Sequence, residues 1–403
     1  MHPMNSRSVS VAGLGLVSGL GSGVRHNWER ALGGANGIAE IKRFETSNLL
    51  ARFGSVVDRY PGLSCAERTR KVAVDVVEEA LSGSCMSRSE RANTGIFIGA
   101  PVFDIDWLVL ADRRRRSTED ALDLMACEEW VSELGTEIGS VVESSYPAVM
   151  VNTACASGAS ALQLALRCMR RGRFDNAVVV ASDATVCPET LTRFALISAL
   201  STRNDEPHRA SRPFCEDRDG FVMGEGAAAL LLQNPRRCRP IARRHHLAQL
   251  SGAGDSTDPF HRTRSSPDGR AIIRSMQKAL QDAGLYPAAV GYVNAHGTST
   301  PENDRMESLG IRKVFGDQVP PITSNKSQIG HCLTAAGGLE AVLSIMSLLD
   351  ETIPPTLNYD APDRELGMRV VTEAEHCSGL SHVLSNSFGF GGQNVSLVFS
   401  RCP

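Results

Sequence analysis

What the chain lacks narrows the field first. It has no excess of charge of either sign: 42 Lys and Arg face 45 Asp and Glu, for a net charge of −3 and a pI near 6.4. That balance gives no global attraction to nucleic acid or to an anionic membrane surface. No apolar run approaches the roughly 18 residues that a membrane span needs. Met1-His-Pro-Met-Asn-Ser-Arg7 leads directly into Ser8-Val-Ser-Val-Ala12, too short and too polar for a signal-peptide core, so a cytoplasmic protein is expected. Paired or C-x-x-C cysteines are missing as well: the 11 Cys are odd in number and scattered. They point to neither a disulfide framework nor a metal site.

Glycine is abundant, at 36 of 403 residues, which implies many close backbone approaches. The length suits two or three domains, or one large duplicated one. Apolar runs at residues 8–16, 94–99, 148–151 and 177–181 read as strands, and Val72, Val76 and Ala80 mark one helix face over residues 68–81. Gly13-Leu-Gly-Leu-Val-Ser-Gly19 follows the first strand. Its spacing is G-x-G-x-x-x-G, and no acidic residue ends a second strand some 20 residues later, so a tight turn is favoured over a dinucleotide cradle. Asn234-Pro-Arg-Arg-Cys-Arg-Pro240 is the best boundary, which divides the chain into residues 1–240 and 241–403. Beyond it, strands at 247–252, 290–294 and 321–324, helices at 269–283, 304–314 and 335–349, and a last strand pair near Val383 and Ser396 repeat the alternation. A mixed, largely covered α/β sheet system is expected.

The chain is organised around Val149-Met-Val-Asn-Thr-Ala-Cys-Ala-Ser-Gly158. A short strand ends in small residues, and Ala159, Leu162, Leu166 and Met169 start a helical period at once, with Arg170, Arg171 and Gly172 closing it. Cys155 falls at the corner, where a helix start favours a thiolate; a packed core Cys is an equally good reading of this stretch alone. Two of the 10 histidines, His296 and His331, sit among small residues at strand-to-loop transitions, whereas the other eight look like surface residues. One such His is usually a packing or capping residue. A helix-start Cys with two of them is a rarer set, and it fits covalent thiol catalysis assisted by imidazoles. Arg212, Asp217, Arg218, Asp219 and Glu225 read instead as a structural ion network.

Thr153-Ala-Cys-Ala-Ser-Gly158, Ala199-Leu-Ser-Thr-Arg-Asn-Asp205, Ser211-Arg-Pro-Phe214, Asp217-Arg-Asp-Gly-Phe-Val-Met-Gly-Glu-Gly226, Asn294-Ala-His-Gly-Thr-Ser-Thr-Pro301, Lys326-Ser327, Gly330-His331 and Ser385-Asn-Ser-Phe-Gly-Phe-Gly-Gly392 stand in a fixed order. In that order and spacing the chain resembles the elongating, KAS I/II-like β-ketoacyl-[acyl-carrier-protein] synthases of the thiolase superfamily, from Val9 to Phe399. The resemblance implies an α/β thiolase-like fold, two similar halves in a five-layered αβαβα arrangement, working as a homodimer or as a heterodimer with a chain-length-factor-like subunit. It implies that Cys155 accepts an acyl group from an acyl carrier protein, and that His296 and His331 stabilise the enolate formed when malonyl-carrier loses CO2.

By the same resemblance, the N–H groups of Cys155 and Phe390 form the oxyanion hole, and Lys326 with Glu340 sets charge and orientation near the histidines. Thr298, Thr300 and Thr263 contact the pantetheine arm, and Phe388, Phe390, Val102 and Phe103 gate and line the acyl pocket. Arg70, Lys71 and Arg203 dock the acidic carrier. The Arg113 to Arg116 run reads from its charge either as a further basic patch or as an ordinary solvated face. No bound cofactor is implied, since substrates ride on the carrier's phosphopantetheine. The Cys-His-His set separates the chain from chain-initiating synthases (Cys-His-Asn), from thiolases with a second Cys, and from chain-length factors that have lost the nucleophile. A catalytically impaired or chain-length-setting partner subunit of a ketosynthase heterodimer is the alternative. Asn325, Ile329, Thr334, Gln393 and the loop Gly99-Ala-Pro-Val-Phe-Asp-Ile-Asp106 depart from the family pattern. They suggest a specialised polyketide or fatty-acyl role over a housekeeping one.

Overall fold

The computed structural model describes residues 8–101, 125–238 and 245–402, with the backbone alone at 125–129. Val102, Phe103, the Arg113 to Arg116 run and the expected 240/241 boundary lie outside the described residues. Ten strands build the main sheet: β1 (Val9–Ser18), β2 (Thr94–Gly99), β3 (Val149–Val151), β4 (Asn176–Asp183), β5 (Gly226–Gln233), β6 (Ala248–Thr257), β7 (Tyr292–Asn294), β8 (Ile322–Thr323), β9 (His382–Gly389) and β10 (Gln393–Arg401). An eleventh, the short Gly21–Ser22 strand, flanks β1.

Their order is β8-β7-β9-β10-β6-β1-β5-β4-β2-β3. The two halves meet where β1 pairs with β6 antiparallel over Val9 to Val11. Counted outward from that junction, each half runs first, fifth, fourth, second, third strand. In both, the two inner pairings are antiparallel and the two outer ones parallel. The alternation seen in the sequence is thus a duplicated topology, although the residues themselves do not repeat.

Among the described residues, six long helices cover this sheet: α1 (Cys65–Leu81), α2 (Met125–Val142), α3 (Ser157–Arg170), α4 (Arg270–Ala283), α5 (Pro301–Phe315) and α6 (Ala336–Asp350). Helix α1 packs on β1, β5 and β4 with α2 against it, and α4 packs on β6 and β10 with α5 against it. Helices α3 and α6 touch strands of both halves and lie between them. The layers are therefore helix, sheet, helix, sheet, helix. Side-chain alternation confirms them: Ala177, Val179 and Ala181 of β4 join the central core, and Val178 and Val180 join the core under α1. A third core, with Ile272, Met276, Leu384 and Val398, lies under α4.

The membrane expectation needs one correction. Leu333–Asp350 has the length and the mean hydropathy, 1.4, of a span, but it is 89% buried within the protein. Apart from Glu340, helix α6 buries apolar and small residues all round because both of its sides face sheets. The glycine turn also moves: Gly13 and Gly15 lie inside β1, and a Cβ on either would fall 1.9 Å from the Ala80 or Val76 carbonyl of α1. They serve close helix-to-sheet packing rather than a phosphate.

Candidate active site

The corner between β3 and α3 presents Cys155. Ala154 adopts φ 50°, a left-handed conformation that costs a non-glycine residue on the order of 1 kcal/mol and turns the next side chain out of the strand line. Ser157 holds the turn: its Oγ accepts from the Thr153 N–H at 2.9 Å and donates to the Ala154 carbonyl at 2.6 Å. The thiol is 8% exposed. Its sulfur is reached by two backbone donors, the N–H of Phe390 and its own. The Phe390 peptide comes this close because Gly389 has no side chain; a Cβ there would sit 2.6 Å from the Thr153 carbonyl.

Burial pushes the Cys155 thiol up to about 11, against the pull of the Phe390 N–H and Lys326. The resting group is therefore a thiol, and the thiolate-favouring effect expected of a helix start is outweighed by desolvation. A helix dipole contributes up to about 2 kcal/mol in the best geometries, which is too little to reverse the order.

His296 and His331 meet at the same pocket as Cys155, a narrow space of about 70 Å³. Their rings are 5.3 Å apart and nearly perpendicular, at 84°. Burial, reinforced by the Lys326 charge, holds both imidazoles well below the ordinary histidine value, so both are neutral at pH 7. Lys326 Nζ lies 3.2 Å from His296 Nδ1 and 2.6 Å from the His296 carbonyl, and it pairs with Glu340. An ammonium only donates, so His296 Nδ1 accepts and the ring proton resides on Nε2. His296 thereby keeps one N–H for the pocket.

Lys326 and Glu340 are each 1% exposed. Burial raises the Glu340 carboxyl to about 7 even beside the ammonium. The backbone of the His296 loop is fixed by a carboxylate that sequence reasoning missed: Glu307 of α5 accepts from the N–H groups of His296 at 2.9 Å and Gly297 at 2.8 Å. A charged residue on the buried face of an amphipathic helix was the available signal.

The other expected residues divide by location. Thr298, Thr300, Thr263, Phe388 and Phe390 line the pocket of Cys155 and the histidines. Thr298 and Thr300 share a 2.9 Å hydroxyl contact, and Thr300 also caps α5. Phe388 stands edge-on to His296 at 5.7 Å, and Phe390 packs against Phe194 at 6.5 Å. Phe221, not singled out from the sequence, stands edge-on to His331 at 5.2 Å. His261, read as a surface residue, lines the pocket's mouth.

Arg70 and Lys71 lie away from this pocket, where Arg70 pairs with Glu133 and Glu137 and Lys71 with Glu137. Arg203 pairs with Asp217 at 2.9 Å. The ion network resolves into three groups among the described residues. Arg212 pairs with Asp217 and Asp360, Arg218 with Asp304 and Asp363, and fully buried Glu225 with Arg43 and Arg68.

The departures are integrated rather than disruptive. Thr334 donates its hydroxyl to Asp183 at 2.7 Å, which anchors the turn after His331. Asn325 accepts from Asn294 at 2.9 Å, and Ile329 is buried in the central core.

Five layers around a Cys-His-His pocket place this protein among the thiolase-fold condensing acyltransferases. The profile described as "Beta-ketoacyl synthase, N-terminal domain" matches residues 6–237, and "Beta-ketoacyl synthase, C-terminal domain" matches residues 247–360. The 3-oxoacyl-[acyl-carrier-protein] synthase 2 of Vibrio cholerae is 32% identical over 99% of this chain and 100% of its own. The protein of the same name from Coxiella burnetii is 34% identical over 99% of each. Among solved structures, a type II PKS acyl-carrier protein in complex with its ketosynthase bound to the hexaketide supplies a chain with TM-score 0.87 at 28% identity, covering 98% of this chain and 100% of that one. The ishigamide ketosynthase/chain length factor gives 0.86 at 28% identity, with the same coverage. The chain belongs to the β-ketoacyl synthase family.

Proposed function

We propose that the chain is a β-ketoacyl-ACP synthase that joins an acyl group held on Cys155 to the two-carbon unit of malonyl-ACP. One observation carries the reading: the Cys155 sulfur, touched by the Phe390 and Cys155 N–H groups, shares a pocket with two neutral imidazoles. In the first half-reaction, the Cys155 sulfur attacks the acyl thioester, the carrier's sulfur leaves, and the thiol proton passes to it. Charge that develops on the carbonyl oxygen is met by the two N–H groups, which are in place before the reaction begins. In the second, malonyl-carrier loses CO2 and its enolate oxygen is held by His296 Nε2–H and His331. The carbanion attacks the acyl-Cys155 carbonyl, the Cys155 sulfur leaves and takes up one proton, and 3-oxoacyl-carrier departs. Decarboxylation supplies the carbanion, so no strong base and no resident cofactor is required.

The expected pH profile follows from the imidazoles. Both folded-state values are depressed, so neither imidazole puts an inflection into kcat/KM for condensation between pH 8 and about pH 6; the group of this site that titrates in that window is Glu340, at about 7. Stability follows the same sign: below about pH 6.5 the unfolded chain binds protons that the folded one refuses, so these two groups withdraw stability as pH falls. An activity inflection near 6.5 that persists in a Glu340→Gln variant contradicts the assignment of two neutral donors.

Residues 1–240 form the half that carries the nucleophile and residues 241–403 the half that carries the histidines, in a cytoplasmic enzyme. The unit is a homodimer, or a heterodimer with a chain-length-factor-like subunit; strand β3 ends the sheet with Val149 42% exposed, an edge that pairing would cover. A monomeric mass in sedimentation contradicts both. Intact Cys155, His296 and His331 argue against the reading of the chain itself as the non-catalytic subunit. Thr334, Asn325, Ile329 and Gln393 support specialised over housekeeping elongation. A panel of acyl-ACPs tests this: equal extension of ordinary saturated medium and long primers and of every other primer refutes specialisation.

A further inference from the structure

The pocket runs outward from buried to exposed residues. Cys155, His296, His331 and Thr298 are 8, 2, 3 and 5% exposed, whereas Arg262 and Arg264 at its mouth are exposed. Both arginines flank Thr263 in one loop, and all three line the same pocket as the thiol. Among the described residues neither guanidinium has an ion-pair or hydrogen-bond partner, unlike Arg70, Arg203, Arg212 and Arg218. The one carboxylate among the described residues of the pocket wall, Glu302, already pairs with Arg305 at 3.0 Å.

The loop that carries them is well defined. Buried Asp258 accepts from the N–H groups of Phe260 at 3.1 Å and Ser266 at 2.8 Å, and the Arg262 carbonyl accepts from Gly391 at 2.7 Å. His261 Nδ1 accepts from the Thr263 N–H at 3.1 Å. Two free guanidiniums on an ordered loop, at the open end of a pocket whose deep end is a thiol, form an anion-recognition site. A guanidinium fork matches a phosphate in two parallel hydrogen bonds.

We infer that Arg262 and Arg264 clamp the phosphodiester of the phosphopantetheine arm at the pocket mouth while its thioester lies against Cys155. This rests on the carrier-dependent reading proposed above. A purely outer contact with an acidic carrier surface explains the charge but not the place of both residues in the lining of the thiol's own pocket. Because the clamp is solvent-exposed, its contribution is modest and weakens with salt.

The test uses the full-length protein and two non-transferable probes, the S-hexyl thioethers of 4′-phosphopantetheine and of pantetheine, with Kd measured by calorimetry at low and high salt. The phosphorylated probe binds about tenfold more tightly at low salt, and the Arg262→Gln/Arg264→Gln double variant brings the ratio to about one. A ratio near one in the unaltered protein overturns the proposal, as does a ratio that survives in the double variant. If the variant lowers activity with whole acyl-ACP while the probe ratio is unchanged, the arginines contact the carrier's protein surface and the clamp is wrong. Mass detection of an acyl adduct on Cys155 from an acyl-ACP reports separately on the parent reading, so the two failures are distinguishable.

Discussion

Cys155→Ala is expected to lose condensation by at least about 10⁴-fold and to form no acyl adduct, with its fold intact. The substitution removes one sulfur from a small apolar cluster that also holds Val186, Leu191 and Leu333, a change that costs about 1 kcal/mol of packing. The chemical loss is far larger, because the two half-reactions share that sulfur as nucleophile and then as leaving group. No neighbour substitutes for it: the nearby Cys332 is 1% exposed and burial drives its thiol strongly upward. Steady-state condensation, intact mass and circular dichroism on the same preparation check the three parts.

Lys326→Met is expected to destabilise the fold by about 3–5 kcal/mol, because it leaves Glu340 buried without a counter-charge. The destabilisation grows with pH. Glu340 has a folded value of about 7, above its ordinary 4.5. Between the two, the folded state holds the proton that the unfolded chain releases, and stability falls as pH rises through that window. Without the ammonium the folded value moves higher still, so urea midpoints separate the variant from its parent more at pH 8 than at pH 6. The double change Lys326→Met/Glu340→Gln removes both charges and recovers most of the stability. It does not recover activity, because nothing then donates to His296 Nδ1 or holds the His296 carbonyl. Recovered activity in the double variant indicates that Lys326 matters only as the partner of Glu340.

The sequence made some parts of this site visible and hid others for physical reasons. Helix α3 was legible because Ala159, Leu162, Leu166 and Met169 all face the central core, and all four are buried. The apolar strands were legible for the same reason. The duplicated strand order was hidden, because it resides in hydrogen-bond partners and not in residue types. Cys155, His296 and His331 stood out by their small neighbours, but their convergence comes from loops at the ends of β3, β7 and β8 that approach one another only in the folded sheet. The tautomer of His296 depends on a lysine 30 positions away, and no periodicity records such a contact. The thiolate expectation failed because a helix start is visible in sequence whereas full desolvation of its first side chains is not.

The central claim is that a single sulfur carries the acyl group between two carriers, and an intact-mass time course tests it most directly. Enzyme incubated with an acyl-ACP should gain the acyl mass on the peptide that contains Cys155. Malonyl-ACP added next should discharge that adduct as 3-oxoacyl-ACP, two carbons longer than the primer, with one CO2 released per turnover. Product formed without any adduct on Cys155, or an adduct that malonyl-ACP never discharges, contradicts the account.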